Sequence, residues 1–143
     1  WTKKYDPCRL VNPASGGNHR ACGDVLDLHH YPGPNMFVFD AVRVNVLGEY
    51  GGIGLPLEGH LWQQGKNWGY VQFKNSDEVT AEYVKFANEL KDMVKRGFSA
   101  AVYTQTTDVE GEVNGLMTYD RKVIKINEKA VKEANQSVIR MLE

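Results

Sequence analysis

The chain has 143 residues, 42% of them hydrophobic and 24% charged, with a formal net charge of −1; this is the size of one ordinary domain with enough apolar material for a core. Near-neutral charge gives no electrostatic reason to expect a nucleic-acid or anionic-membrane partner, and no apolar run approaches the ~20 residues of a membrane span. Cys8 and Cys22 are too few and too uninformatively spaced to indicate a disulfide framework or a zinc site, although a single bridge is compatible with them, and no pattern asks for a metal or other cofactor.

In chain order, Trp1 to Tyr5 reads as the tail of a helix. Asp6-Pro7 ends it, because a residue before proline is pushed out of the helical region. Arg9-Leu10-Val11-Asn12 is then a short strand, and Pro13 to Gly23 a loop. A second strand runs from Asp24 to Tyr31, with Leu26 and Leu28 on one face and Val25, Asp27, His29 and Tyr31 on the other. A face that turns polar toward the strand end lines something, and Pro32-Gly33-Pro34 stops the strand. Asn35 to Val42 has no assignable state. A third strand, Val44 to Glu49, is apolar, ends on a carboxylate and is followed by the glycine-rich turn Tyr50-Gly51-Gly52-Ile53-Gly54. Alternation with period two puts Asn45 and Leu47 on the face of Glu49, and Val44, Val46 and Gly48 toward covering helices.

Gly51 to Asn75 holds His60, Trp62, Trp68, Tyr70 and Phe73, and is too long and too aromatic for a plain connector. Ser76-Asp77 opens a helix whose apolar positions Val79, Tyr83, Phe86, Ala87, Leu90, Met93 and Val94 recur at helical spacing up to a stop at Gly97. Phe98 to Tyr103 is a fourth buried strand. A polar run, Thr104 to Asp108, and a loop with Glu110 and Glu112 follow, and Asn127 starts a last helix with Ala130, Val131, Ala134, Val138 and Met141 as its stripe. Strands and helices in this order predict an α/β fold with parallel strands, in one domain spanning 1–143. The absence of an initial Met makes the chain read as a piece of a longer polypeptide, so no compartment is assigned.

Glu49 is the first candidate for chemistry. It stands at the C-terminal end of a buried strand, where α/β folds keep their sites, and the glycines after it leave room for a ligand. Leu47-Gly48-Glu49-Tyr50-Gly51-Gly52 resembles the nucleophile strand of glycoside hydrolase family 2, the β-galactosidase, β-glucuronidase and β-mannosidase family. Asn114 to Lys122, ending in Asp120-Arg121-Lys122, resembles the family's closing motif after its last strand, and Asp24 to Tyr31 resembles the strand before the nucleophile. The three occur in the family's order and span most of the chain.

The resemblance implies the C-terminal half, strands five to eight, of a (β/α)8 TIM barrel, with Trp1–Tyr5 as the end of the fourth helix. A complete barrel takes about 250 residues, so the partners implied are the missing N-terminal half of the barrel, a β-glycoside substrate and, through exposed sheet edges, a second copy of the fragment. Function would be retaining β-glycoside hydrolysis, β-galactoside being the first expectation, with Glu49 as nucleophile and Tyr31 orienting it. His29, Asn45, Trp62, Trp68 and Gln105 would bind substrate, and neither metal nor cofactor is implied. His30 and Asp120-Arg121-Lys122 read as structural, while Asp27 would pair with a cation or a histidine. The family's acid/base, a Glu preceded by Asn, lies upstream of the nucleophile. Asn88-Glu89 and Asn127-Glu128 come after Glu49 on predicted helices and do not qualify, so the isolated chain is expected to be inactive. The alternative is a carbohydrate-binding or assembly module derived from such a barrel.

Overall fold

The computed structural model describes residues 1–143. Its elements are α1 (Thr2–Tyr5), β1 (Val25–His29), β2 (Val44–Gly51), the short β3 (Ile53–Gly54) and β4 (Val71–Gln72), α2 (Ser76–Lys95), β5 (Ala100–Thr104) and α3 (Glu128–Ile139), closed by a 3-10 turn at Arg140–Leu142. β1, β2 and β5 form one parallel sheet in that spatial order, and β3 pairs with β4, also in parallel. The class is mixed α/β with a small parallel sheet, as the order of elements predicts. No helix is long and apolar enough to cross a membrane.

The strand expected at residues 9–12 does not form. Val11 alone bonds to its neighbour through its backbone: its N–H donates to the Asp24 carboxylate at 2.7 Å, and its carbonyl accepts from the N–H groups of Asp24 and Val25. Two residues on, Pro13 has no N–H with which to continue a ladder. β1 is correspondingly shorter than predicted and leaves Tyr31 just past its end. Residues 30–43 cross from β1 to β2 without a helix, and Met36 within this crossover is buried in the core.

α2 forms where the apolar period predicts. Its cap is Asn75, one residue before the predicted start: Asn75 Oδ1 accepts from Glu78 N–H at 2.9 Å, while the Glu78 carboxylate accepts from Lys74 N–H at 2.9 Å. This reciprocal pair satisfies donors the helix leaves open. Val79, Tyr83, Phe86, Leu90 and Met93 then join Leu26, Leu28, Leu47, Tyr50 and Ile53 in a single apolar cluster. α3 is capped by Asn127 and tied to α2 by two bonds, Asn127 N–H to Thr80 Oγ1 at 2.9 Å and Tyr83 Oη to Asn135 Oδ1 at 3.1 Å.

The pairing of β2 corrects the alternation expected for Glu49. Against β1, Leu28 faces Leu47 but the next residue, His29, faces Glu49. Against β5, Ala101 faces Leu47 while Tyr103, two residues on, faces Tyr50. β2 therefore carries one extra residue after Leu47, a β-bulge that shifts the parity of everything beyond it. Leu47 and Tyr50 share the core face, whereas Asn45 and Leu47 do not share the face of Glu49.

The chain after β5 is held by a buried ion pair. Lys125 Nζ, fully buried, lies 2.6 Å from Asp108 Oδ1 and also donates to the carbonyls of Leu55 (3.1 Å) and Val113 (2.9 Å). Gly115 N–H donates to the same carboxylate oxygen at 2.8 Å. Burial pushes the Lys125 ammonium down and the Asp108 carboxyl up from their ordinary values, and each partner opposes the other's shift.

Candidate active site

The site is assembled at the C-terminal ends of β1, β2 and β5. Its lowest member is Asp27, whose carboxylate lies across β2 and accepts from Gly48 N–H (3.1 Å), Asn12 Nδ2 (2.6 Å) and Ser15 Oγ (3.2 Å). Only glycine fits beneath it, since a Cβ on residue 48 would stand 2.0 Å from Asp27 Oδ1. The expectation that Asp27 pairs with a cation or a histidine is met only by a 3.7 Å approach of His29 Nε2; its closer partners are neutral donors.

Above Asp27, the bulge brings Glu49 beside His29. The Tyr31 hydroxyl donates to Glu49 Oε2 and lies 2.9 Å from Thr104 Oγ1 at the end of β5. A phenol has one proton, so Tyr31 donates to the carboxylate and accepts from the threonine. Burial, and then the hydrogen bond to Glu49, push the Tyr31 phenol well above its ordinary value, against a smaller lowering by Thr104. Tyr31 thus keeps its proton through neutral and mildly alkaline pH. His29 Nδ1 faces the same Glu49 oxygen at 3.4 Å, a long contact that is attractive only when Nδ1 carries a proton, and Nε2 meets Ser15 Oγ at 3.0 Å. The Glu49 side chain remains 44% exposed, open to an incoming molecule.

An aromatic wall backs this group. The Tyr70 ring stacks on Tyr31 with centroids 3.6 Å apart and planes 4° from parallel, and Trp68 meets Tyr70 edge-on at 5.4 Å. Gly52, with φ +66, lets the wall close, because a Cβ there would come 2.3 Å from the Tyr70 ring. The Tyr70 phenol is raised by burial, then by Glu112 and by Glu49, so it stands in the fields of two carboxylates.

Of the residues singled out in sequence, Glu49, Tyr31 and His29 come together and Trp68 joins them through Tyr70. Gln105 follows Thr104 directly, but its amide is held by Glu112 (2.9 Å) and Asn114 (2.7 Å). Trp62 packs edge-on against Tyr119, in the arm of the long loop that His60 ties to Asp120 at 2.9 Å. Asn45 sits at the far end of β2, four residues or about 13 Å from Glu49, where its amide is spent on Asp40 and Arg43; the bulge and this distance keep it out of the site. His30 holds the next turn through Gly33 O at 2.7 Å. Thr118 Oγ1, His60 and Lys122 N–H hold Asp120, and Arg121 takes φ +58, the behaviour of a turn.

Thr104, Tyr70, Ser15 and Glu112 were not singled out in sequence as site residues. Thr104 carried the usable signal, as the first polar residue after an apolar strand, the same position that drew attention to Glu49. Cys8 and Cys22 are both free and exposed, and no three His, Cys, Asp or Glu side chains converge as a metal site would require. Fold and site together define an α/β protein whose parallel strand ends present an exposed carboxylate steadied by a phenol and backed by aromatic rings. No protein-family model matches the chain, and no curated protein matches it in sequence.

Proposed function

We propose that this chain supplies the nucleophile side of a retaining β-glycosidase, its sheet being the later part of a (β/α)8 barrel completed by further strands. The observation that carries the reading is the Tyr31 hydroxyl donating to the Glu49 carboxylate at the ends of adjacent parallel strands. In double displacement, a carboxylate attacks the anomeric carbon as the leaving oxygen takes a proton from a second carboxyl group about 5 to 5.5 Å away. Water then releases the sugar with that second group acting as base. Tyr31 suits the first role of a positioning donor, since it stays protonated and leaves one Glu49 oxygen free to attack. Tyr70 and Trp68 offer the apolar faces on which sugar rings rest, and the half-exposed Val102 on β5 fits a sheet that continues into further strands.

The acid/base belongs, on this reading, to the rest of the barrel. Its loss alone removes a factor of roughly 10² to 10⁴ in rate, so the isolated chain hydrolyses no unactivated glycoside at an enzymatic rate. The test uses a longer polypeptide that includes the preceding half barrel, exposed to activated 2-fluoro-β-glycosides and analysed by peptide mass spectrometry. A single sugar adduct on the Glu49 peptide, lost in Glu49→Ala, is expected, with the β-galactoside reacting first. A folded polypeptide that binds sugar yet forms no adduct would overturn the reading in favour of a carbohydrate-binding module.

A further inference from the structure

Glu112 is a second carboxylate at this site, held in place more firmly than its loop position suggests. Its backbone closes a tight turn with Val109 through both N–H and C=O (2.9 and 3.1 Å). Trp68 clasps that turn, its N–H donating to Gly111 O and its carbonyl accepting from Val113 N–H, each at 2.9 Å. The side chain is fixed too. Glu112 Oε2 accepts from Gln105 Nε2 at 2.9 Å and from Asn114 Nδ2 at 3.4 Å, and these two amides are joined to each other at 2.7 Å, with Asn114 fully buried. Oε1 accepts from no protein group, and Glu112 as a whole is only half-buried. No Lys or Arg pairs with Glu112 or Glu49.

The route from Glu112 to the nucleophile is short. Gln105, which holds Glu112, is the neighbour of Thr104, whose hydroxyl meets the Tyr31 hydroxyl that donates to Glu49. Trp68, which clasps the Glu112 turn, is the edge of the wall whose face is Tyr70 on Tyr31. A carboxylate fixed on one side by two amides, with its other oxygen free, is built to accept hydrogen bonds from hydroxyl groups and to repel anions.

We infer that Glu112 is a specificity-determining residue of the site, accepting hydrogen bonds from hydroxyls of a neutral sugar and disfavouring uronates. The inference rests on the glycosidase reading above and adds to it the residue that selects neutral sugars over uronates. Glu112 does not attack or protonate; it fixes the ring while Glu49 reacts.

The test measures kcat/KM of the longer polypeptide, and of its Glu112→Ala and Glu112→Gln variants, on aryl β-galactosides in which each ring hydroxyl is replaced in turn by hydrogen. A hydrogen bond to a charged group is worth roughly 10- to 100-fold in kcat/KM, so Glu112→Ala should lose that much on the parent galactoside. On one or two deoxy substrates its loss should shrink to about threefold or less, because the bonding partner is already gone. Glu112→Gln keeps the shape and guards against a folding defect; it should show the same pattern at smaller amplitude and a raised preference for β-glucuronide over β-glucoside. A loss equal on every deoxy substrate, or none on the parent, would overturn the role of Glu112 while 2-fluoro trapping at Glu49 stands. No trapping in the unsubstituted polypeptide would overturn both readings.

Discussion

Replacing Lys125 with methionine is the sharpest test of how this fold is held together. The ammonium is fully buried and makes three contacts, to Asp108 at 2.6 Å and to the carbonyls of Leu55 and Val113. Methionine fills the volume of the stem but supplies no donor, so Asp108 is left buried with Gly115 N–H as its one remaining partner, and two carbonyls lose a donor. Removing one member of a buried pair costs about 3–5 kcal/mol, most of it the penalty for the stranded charge. Against a total stability of about 5–15 kcal/mol, that is a large fraction, and at about 2–4 °C per kcal/mol it lowers the melting temperature by roughly 6–20 °C. Urea unfolding followed by tryptophan fluorescence measures it, and the paired variant Lys125→Met, Asp108→Leu completes the experiment. The double variant should recover at least half of the loss, since no charge is stranded. A single-variant cost below about 1 kcal/mol, or a double variant worse than the sum of both singles, would refute the reasoning.

Three further outcomes follow from the geometry. On the glycosidase reading proposed above, Tyr31→Phe removes a donor to an ionised carboxylate and should cut kcat of the longer polypeptide roughly 10- to 100-fold with little change in fold; less than threefold would deny Tyr31 a positioning role. Gly48→Ala forces the Asp27 carboxylate out of a space where the new Cβ would stand 2.0 Å away, and should destabilise by about 2–4 kcal/mol in denaturant titration, while an unchanged midpoint would show that Asp27 has somewhere else to go. Asp120 is depressed to about 2 by the Thr118 hydroxyl first and by His60 and Lys122 N–H after it. Its folded value lies below an unfolded value near 3.9, so its stabilising effect is complete above that value and fades as pH falls toward about 2. Carboxyl-carbon NMR should follow the titration there, and Thr118→Val should move it upward; no movement would remove the hydroxyl as the main cause.

The fold was legible where a single period governs a long stretch. α2 is written in the spacing of Val79, Tyr83, Phe86, Leu90 and Met93, and β5 in the run after Gly97. The helix begins at Ser76 as its spacing predicts, and because Asn75, Ser76 and Asp77 are all competent caps, it takes the Asn75–Glu78 and Glu78–Lys74 bonds to choose Asn75 among them. Residues 9–12 look like a strand because apolar composition says nothing of whether a neighbour offers a ladder. The bulge in β2 is the deepest miss. Gly48, a glycine inside the strand of the kind that often marks a bulge, was the one sign of the extra residue, and period-two reasoning carried across it put Asn45 on the wrong face. Glu49, Tyr31 and His29 were found because each stands at a strand end. Glu112 and Tyr70 were not distinguished from their loop neighbours, because it takes the folded Gln105–Asn114 pair and the Tyr31 ring to select them.

The Tyr31–Thr104 contact spans 73 residues, and Lys125 reaches back 70 residues to Leu55. Parallel strands allow no local shortcut, because each pairing must wait for a long crossover to close. Folding should accordingly be slow for a chain of this length. The carboxylate and its phenol meet early along the polypeptide, yet their threonine arrives only after α2 has been laid down and β5 has docked. A nascent chain still lacking β5 would expose the Tyr31 hydroxyl without its second partner, so an assembled site doubles as a report that the sheet is complete.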